Sequence, residues 1–208
     1  MTDPRAYVRQ RTHTFTTYTN KRFSLINPSP DTVCLEDIAH ALSHSSRYNG
    51  HLPGFYSIAQ HSVYVMQQMA LLVPNTPPKW LLAALLHDAA EAYVGDMVSP
   101  LKALIPEYSV FEEKAHIAVC RHFGIPAPGE KPLMDTIIHE ADMRVFAGEW
   151  VYLSGRGQES FANMQDPTLY DRRFRGMEKD VYWSHSGAVF TFHNEAQRII
   201  RLSKVGAQ

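Results

Sequence analysis

Between residues 80 and 102 an apolar run, WLLAALL, ends in the adjacent pair His87 and Asp88, followed by Glu91 and then Asp96. Three carboxylates and an imidazole beside a greasy helix pattern are costly to bury unless something pairs with them. A metal ion is an economical partner, so the stretch reads as half of a metal site. The other half must come from polar residues on other apolar patterns. His61 lies in the first turn of a helix pattern that begins at Ser57, and Asp142 lies midway along another, in EADMRVF. Two imidazoles and two carboxylates from three neighbouring helices form an N/O donor set that suits Mn, Fe, Co, Ni, Zn or Mg, with positions left for water and substrate. The only two cysteines, Cys34 and Cys120, stand in apolar patterns without a CxxC, so neither a structural zinc nor a disulfide framework is expected. Both read as small buried hydrophobes of a protein in a reducing cytosol.

The elements that must position these residues can be read from caps and breakers. Residues 11–27, rich in Thr and aromatics around Thr19-Asn20-Lys21, predict a short β-hairpin ended by Pro28 and Pro30. LEDIAHALSH predicts a first helix over 35–44, with Asp31 or Thr32 as its cap. RYNGHLPGFY is a loop with Asn49-Gly50 and Pro53-Gly54 turn pairs. Ser57 and Gln60 form a capping box for the second helix, which stops before Pro74. The third helix enters through Pro77-Pro78 and ends at Gly95, carrying His87 and Asp88 on its last turns. A fourth is expected over 107–123, closed by Gly124, and a fifth from Pro132, in which Gly148 weakens the last turns. Residues 154–186 predict irregular structure with short helices and a solvated RRFR face at 172–175. Residues 188–192 alternate briefly, and Asn194 caps a terminal helix to 205. The expectation is an all-α bundle in one domain over 1–208. Its core is 35–151, with a small N-terminal hairpin at 11–27 and an irregular C-terminal extension at 154–208.

Composition narrows the classes of partner. The 208 residues carry 20 basic and 21 acidic side chains, a formal net charge of −1, so no electrostatic footprint for a nucleic-acid polymer or an anionic membrane is visible. The N-terminal run MTDPRAYVRQR lacks the apolar segment of a signal peptide, and no apolar run is long enough to span a bilayer. Eleven histidines favour a metal or proton-transfer site. His40 and His44 have the spacing of a two-histidine zinc motif but lack the Glu after the first, so they read as packing residues of the first helix.

The order His61 … His87-Asp88 … Asp142, in the contexts AQHSVYV, ALLHDAAEAYVGD and EAD, resembles the H…HD…D signature of the HD-domain metal-dependent phosphohydrolases. The extension EAYVGDMVSPLK resembles the bacterial 5′-deoxynucleotidase (YfbR-like) branch, and FSLINPSPDTVCLEDIAHALSHSSRYNGH is similar to phage- or prophage-type relatives of that branch. The resemblance covers roughly residues 35–151. It implies one divalent metal held by His61, His87, Asp88 and Asp142, and hydrolysis of the 5′-phosphate of a small nucleotide, a deoxynucleoside monophosphate. Glu91, one turn after the ligand pair, is expected to orient water or act as acid and base. The resemblance gives Asp96 a place on the water or sugar side and makes Arg47 the phosphate contact, as the Arg fork suits. Lys102 is a second candidate for the phosphate, and His51 with Tyr48 for the pocket wall. Extra histidines such as His116, His122 and His139 do not fall at the spacing of binuclear relatives, and no GYP-type motif is present, so a single metal is expected; His139, one turn before Asp142, is the one to check. Relatives in the branch often form homodimers. The competing readings are a hydrolase of another nucleotide, such as an alarmone or a cyclic nucleotide, and a non-catalytic nucleotide-binding HD protein. The alarmone hydrolases' Glu-Asp after HD is absent here, where Ala89, Ala90 and Glu91 follow.

Overall fold

A computed structural model of the chain describes residues 13–162, 167–177 and 181–205. The N-terminal run read for a signal peptide, the first two residues of the expected hairpin and the Asp166 turn lie outside them. Two strands, β1 (Thr14–Thr16) and β2 (Arg22–Ser24), pair antiparallel with Phe15 opposite Phe23. The other regular elements of the described residues are helices: α1 (Leu35–His44), α2 (Ile58–Leu72), α3 (Pro78–Leu85), α4 (Glu91–Val94), α5 (Ser99–Leu104), α6 (Pro106–Phe123), α7 (Pro132–Tyr152), α8 (Gln158–Ala162), α9 (Pro167–Asp171) and α10 (His185–Val205). The architecture is therefore the expected all-α bundle with a small N-terminal hairpin. No helix among the described residues is long and apolar enough to cross a membrane.

The bundle is built around α2. Ser57 caps it by accepting the Gln60 N–H at 3.1 Å, but the box is only half formed. The Gln60 side chain reaches instead to the Val181 carbonyl and accepts the Trp183 N–H, pinning the approach to α10. A helix apolar on all sides belongs in the middle of a core, and α2 is buried from Ile58 to Met66 and again at Gln68 and Met69. It packs against α1, α3, α7 and α10. That burial explains how His61 and Gln60 come to be fully enclosed, since they are polar residues carried into the core by their neighbours.

Several boundaries depart from expectation. Cys34, not Asp31 or Thr32, stands at the start of α1, while Pro30–Thr32 make a separate 3-10 turn capped by Ser29. The helix expected through to Gly95 breaks after Leu85. Residues 86–90 wind with i to i+3 bonds (Ala89 N–H to the Leu86 carbonyl, Glu91 N–H to that of Asp88) before α4 begins. His87 and Asp88 thus lie in a tight turn between two helices. Gly95, at φ +86°, ends α4 in a conformation that favours glycine. The terminal helix starts at His185, with Asn194 mid-helix, because Ser184 accepts the Gly187 N–H and supplies an earlier cap. The C-terminal extension is accordingly less irregular than expected. The RRFR run is not simply solvated: Phe174 is core, Arg172 meets Glu140 at 3.0 Å, and Arg173 lies over the Tyr170 ring.

Candidate functional site

α2 and α7 pack along their lengths, and α7 presents Asp142 and Glu149 seven residues apart, on one face two turns long. Both face His61 on α2. The turn after α3 brings His87 and Asp88 to the same point. His61 Nε2 lies 3.1 Å from Asp142 Oδ1, 3.6 Å from Asp88 Oδ2 and 3.4 Å from His87 Nε2, and His87 Nε2 lies 3.2 Å from Asp88 Oδ2. The four residues read from the sequence as ligands are thus brought together. His61, His87 and Asp88 each offer a donor atom within 4.8 Å of the others, the spacing of a metal-binding group.

Tautomers decide which atoms face inward. His61 Nδ1 donates to Glu149 Oε1 at 2.6 Å, and His87 Nδ1 donates to the Ala84 carbonyl at 2.9 Å. Both rings therefore turn Nε2 toward the two aspartates, the orientation that a backing acceptor gives a metal-ligating histidine. Burial and the Arg47 charge push the His61 imidazole down, but Glu149 and Asp142 outweigh them and raise it to about 9. Its surroundings demand positive charge at Nε2, supplied by a proton or by a metal ion. Asp142 Oδ1 and Glu91 Oε2 are buried oxygens without a well-formed hydrogen bond. Burial would raise Asp88, yet His87, His61 and Arg47 hold its carboxyl well below the usual range. Converging acceptors with too few protons among them are the donor set that a divalent cation fits.

Arg47 sits against this cluster. Its Nε donates to Glu149 Oε2 at 3.1 Å, while its outer nitrogens stand 3.8 Å from Asp88 and 3.6 Å from Asp142. The loop that carries it is tightly set. Arg47 N–H donates to the Tyr56 carbonyl, Ser46 and Ser57 form an isolated bridge, and Tyr48 and Asn49 both take left-handed φ values of 56° and 51°. A bulky aromatic in that region costs free energy, of order 1–3 kcal/mol, and persists only where the surroundings hold it. Here the Tyr48 hydroxyl donates to Glu149 Oε2 at 2.5 Å.

Glu149 is the residue sequence reasoning missed. It is fully buried and accepts from Arg47, Tyr48, Tyr56 and His61. Burial pushes its carboxyl up, but Arg47 and His61 hold it well below the usual range. The available signal was its position seven residues after Asp142, on the same face of an apolar helix.

The remaining candidates divide. Glu91 opens α4 beside the cluster; burial first, then Asp88 and Asp96, push it up to about 10. Asp96 is exposed just beyond, and burial and Asp88 raise it too. Lys102 lines the same polar cavity of about 370 Å³ as Glu91, but its ammonium is paired with Glu112 at 2.8 Å. His51 is exposed at the end of the Arg47 turn and, among the described residues, makes no side-chain hydrogen bond or ion pair with the cluster. His40 and His44 pack as rings, between Tyr18 and His185, with centroids 3.8–4.8 Å apart. His122 bonds the Pro30 carbonyl, whereas His116 and His139 line a cavity beside His87 and Asp142.

No family model matches the chain. It is similar to an uncharacterized protein of Rhodobacter capsulatus, 40% identical over 120 residues, which are 56% of this chain and 61% of that protein. It is also similar to the uncharacterized protein YfdR of Escherichia coli, 38% identical over 133 residues, 64% of this chain and 68% of that one. At that identity, across two thirds of the relative's length, the chain belongs to the same family as YfdR.

Proposed function

We propose that the chain is an HD-domain metal-dependent phosphohydrolase that removes the 5′-phosphate from a small nucleotide, a deoxynucleoside monophosphate, in the cytoplasm. The observation that carries this reading is the convergence of His61 Nε2, His87 Nε2, Asp88 and Asp142 beneath the outer nitrogens of Arg47. Those four residues would hold one divalent ion: Mn, Co, Mg, Fe, Ni or Zn. When bound, the ion supplies Lewis-acid polarisation of the phosphoryl group and a water of lowered pKa.

The chain's own residues supply the rest. Arg47 has its Nε fixed by Glu149, so its two outer nitrogens remain as a fork for phosphoryl oxygens. Glu91, pushed up by burial and by neighbouring carboxylates, is placed to orient the water or to pass a proton to the departing 5′-oxygen. Asp96, exposed just after α4, is the carboxylate that would orient water or a sugar hydroxyl. Lys102 would have to leave Glu112 to reach a phosphate, so Arg47 takes that contact. His51 has no assigned part. A near-neutral surface suits a small anion met in a cavity better than a polymer.

The test is a phosphate-release screen across nucleotides after dialysis against a chelator and readdition of Mn, Co or Mg. Activity is expected only with metal, and His87→Ala should abolish both metal uptake and turnover. If no nucleotide releases phosphate with any metal, the enzyme reading fails. Full activity in His87→Ala would mean that the site is elsewhere.

A further inference from the structure

A cavity of about 280 Å³ lies beside the metal cluster, shares His87 and Asp142 with it, and adjoins the Glu91 and Lys102 cavity at His87, His116 and Pro128. Its walls are apolar, formed by Ala83 before the ligand turn, Met134 and Ile138 on α7, and Ile125, Pro126 and Pro128 in the loop between α6 and α7. Small-molecule sites run from about 300 to 1,000 Å³, so this one has room for a single flat heterocycle and not for a polymer. Apolar walls favour the faces of such a ring, which leaves its edge to be read by polar groups. Those groups are His116, His139 and Asp135.

Asp135 differs from the two histidines in being committed to one polarity. Its Oδ2 accepts the Gly129 N–H at 2.8 Å, which ties the first turn of α7 to the loop that forms the wall. Its Oδ1 has no partner among the described residues. An imidazole can donate or accept at its free nitrogen, whereas a carboxylate oxygen only accepts. The cavity's one fixed instruction is therefore an acceptor, and it matches an exocyclic amine.

We infer that this cavity is the leaving-group subsite and that Asp135 makes it selective for bases with an amine at the pyrimidine 4- or purine 6-position, cytosine or adenine, over uracil or thymine. The inference rests on the phosphohydrolase reading above and adds to it the edge of the base that is recognised. At that edge dCMP presents an amine and an unprotonated N3, and dUMP a carbonyl and an N3–H, with almost no change in size; Asp135 is assigned to the 4-position, where only the amine donates. A hydrogen bond to a charged acceptor, lost in dUMP and replaced by two facing acceptors, corresponds to a preference on the order of tenfold or more.

Asp135→Asn gives the decisive contrast. Only the amide oxygen can keep the Gly129 N–H, so the NH2 must take the place of Oδ1 and present a donor to the cavity. The preference should then invert toward dUMP, which a merely structural role for Asp135 would not produce. The measurement is kcat/KM for dCMP and dUMP in wild type and Asp135→Asn, beside calorimetric titration of deoxycytidine and deoxyuridine, which lack the phosphate. Equal kcat/KM for the two nucleotides in the wild type overturns the inference while leaving the phosphohydrolase reading intact. A dCMP preference that persists unchanged in Asp135→Asn also overturns it. Selective binding of deoxycytidine without phosphate release from any nucleotide would support the subsite and sink the reading on which it rests.

Discussion

Two groups that would act on a phosphate and a metal lean on one carboxylate. Glu149 fixes the tautomer of His61 through Nδ1 and aims Arg47 through Nε, using both of its oxygens. Tyr48 and Tyr56 complete its shell with two hydroxyl donors. Removing one partner from a buried charged network leaves the others unpaired, at a cost of about 3–5 kcal/mol, so Glu149→Ala should be strongly destabilised. Glu149→Gln keeps the volume and one acceptor, and should fold. It presents an NH2 where an acceptor is needed, which disturbs either His61 or Arg47. Loss of a partner behind a metal ligand typically weakens metal affinity by about 10–100-fold. Titrating Mn or Co into dialysed Glu149→Gln and following bound metal directly should reveal that loss; wild-type affinity would show that Glu149 serves the fold alone. The sequence concealed this residue for a physical reason. A lone Glu on a helix is usually solvated, and its partners lie 88 to 102 positions away in the chain. The four residues of the cluster were legible as candidates because each stands on an apolar pattern where an ionisable group needs an explanation.

At the scale of elements, boundaries were legible wherever local chemistry sets them. α6 and α7 start where their prolines predict, with Gly124 in the left-handed region after α6, and α1 keeps its expected span without its expected cap. The break at residues 86–90 was not legible, because ALLHDAAEAYV contains no breaker and is uniformly compatible with helix. Tertiary demand sets it, since His87 and Asp88 must reach one point. Gly148 shows the opposite error. Its glycine weakened the expectation for the end of α7, yet the helix continues to Tyr152. The glycine is required by packing: a Cβ there would stand 2.6 Å from the Phe174 carbonyl oxygen, and Phe174 N–H donates to the Arg144 carbonyl on α7. In a free helix, Gly→Ala would gain about 1 kcal/mol. Here the overlap is with backbone, and overpacking of this kind costs about 1–3 kcal/mol. Gly148→Ala should lower Tm by roughly 2–4 °C per kcal/mol for a chain of this size. A thermal melt with an unchanged or raised Tm would refute the close approach.

On the scale of the whole molecule, the helices hold one another through α2, but the hairpin needs its own attachment. Phe23 buries in the core against the Tyr93 ring, 4.0 Å away, and the turn after β1 is tied to α1 by Asp37. This carboxylate is buried, accepts the Thr19 N–H at 2.7 Å and the Thr19 hydroxyl at 3.0 Å, and takes the Cys34 thiol at 3.0 Å. Burial pushes its pKa up, but the hydrogen bonds from Cys34 and Thr19 outweigh that and bring it below the ordinary carboxylate value. A group whose pKa is lowered by folding binds fewer protons in the native state than in the unfolded one. Its stabilisation is therefore complete above the unfolded value, about 3.9, and is lost as the pH falls through the lower native value. Asp37→Asn removes the charge and one acceptor, and obliges the Thr19 hydroxyl or the Cys34 thiol to turn and accept from its NH2, so it should be less stable at pH 7 by about 1–3 kcal/mol. The gap between wild type and variant should narrow toward pH 3, because Asp37 of the unfolded wild-type chain takes up its proton from about pH 4 downward, ahead of the native chain, and the variant has none to take up. Urea midpoints measured from pH 7 down to pH 3 would follow that convergence. A gap that stays constant across the range would place the acid sensitivity of the fold in carboxylates other than Asp37.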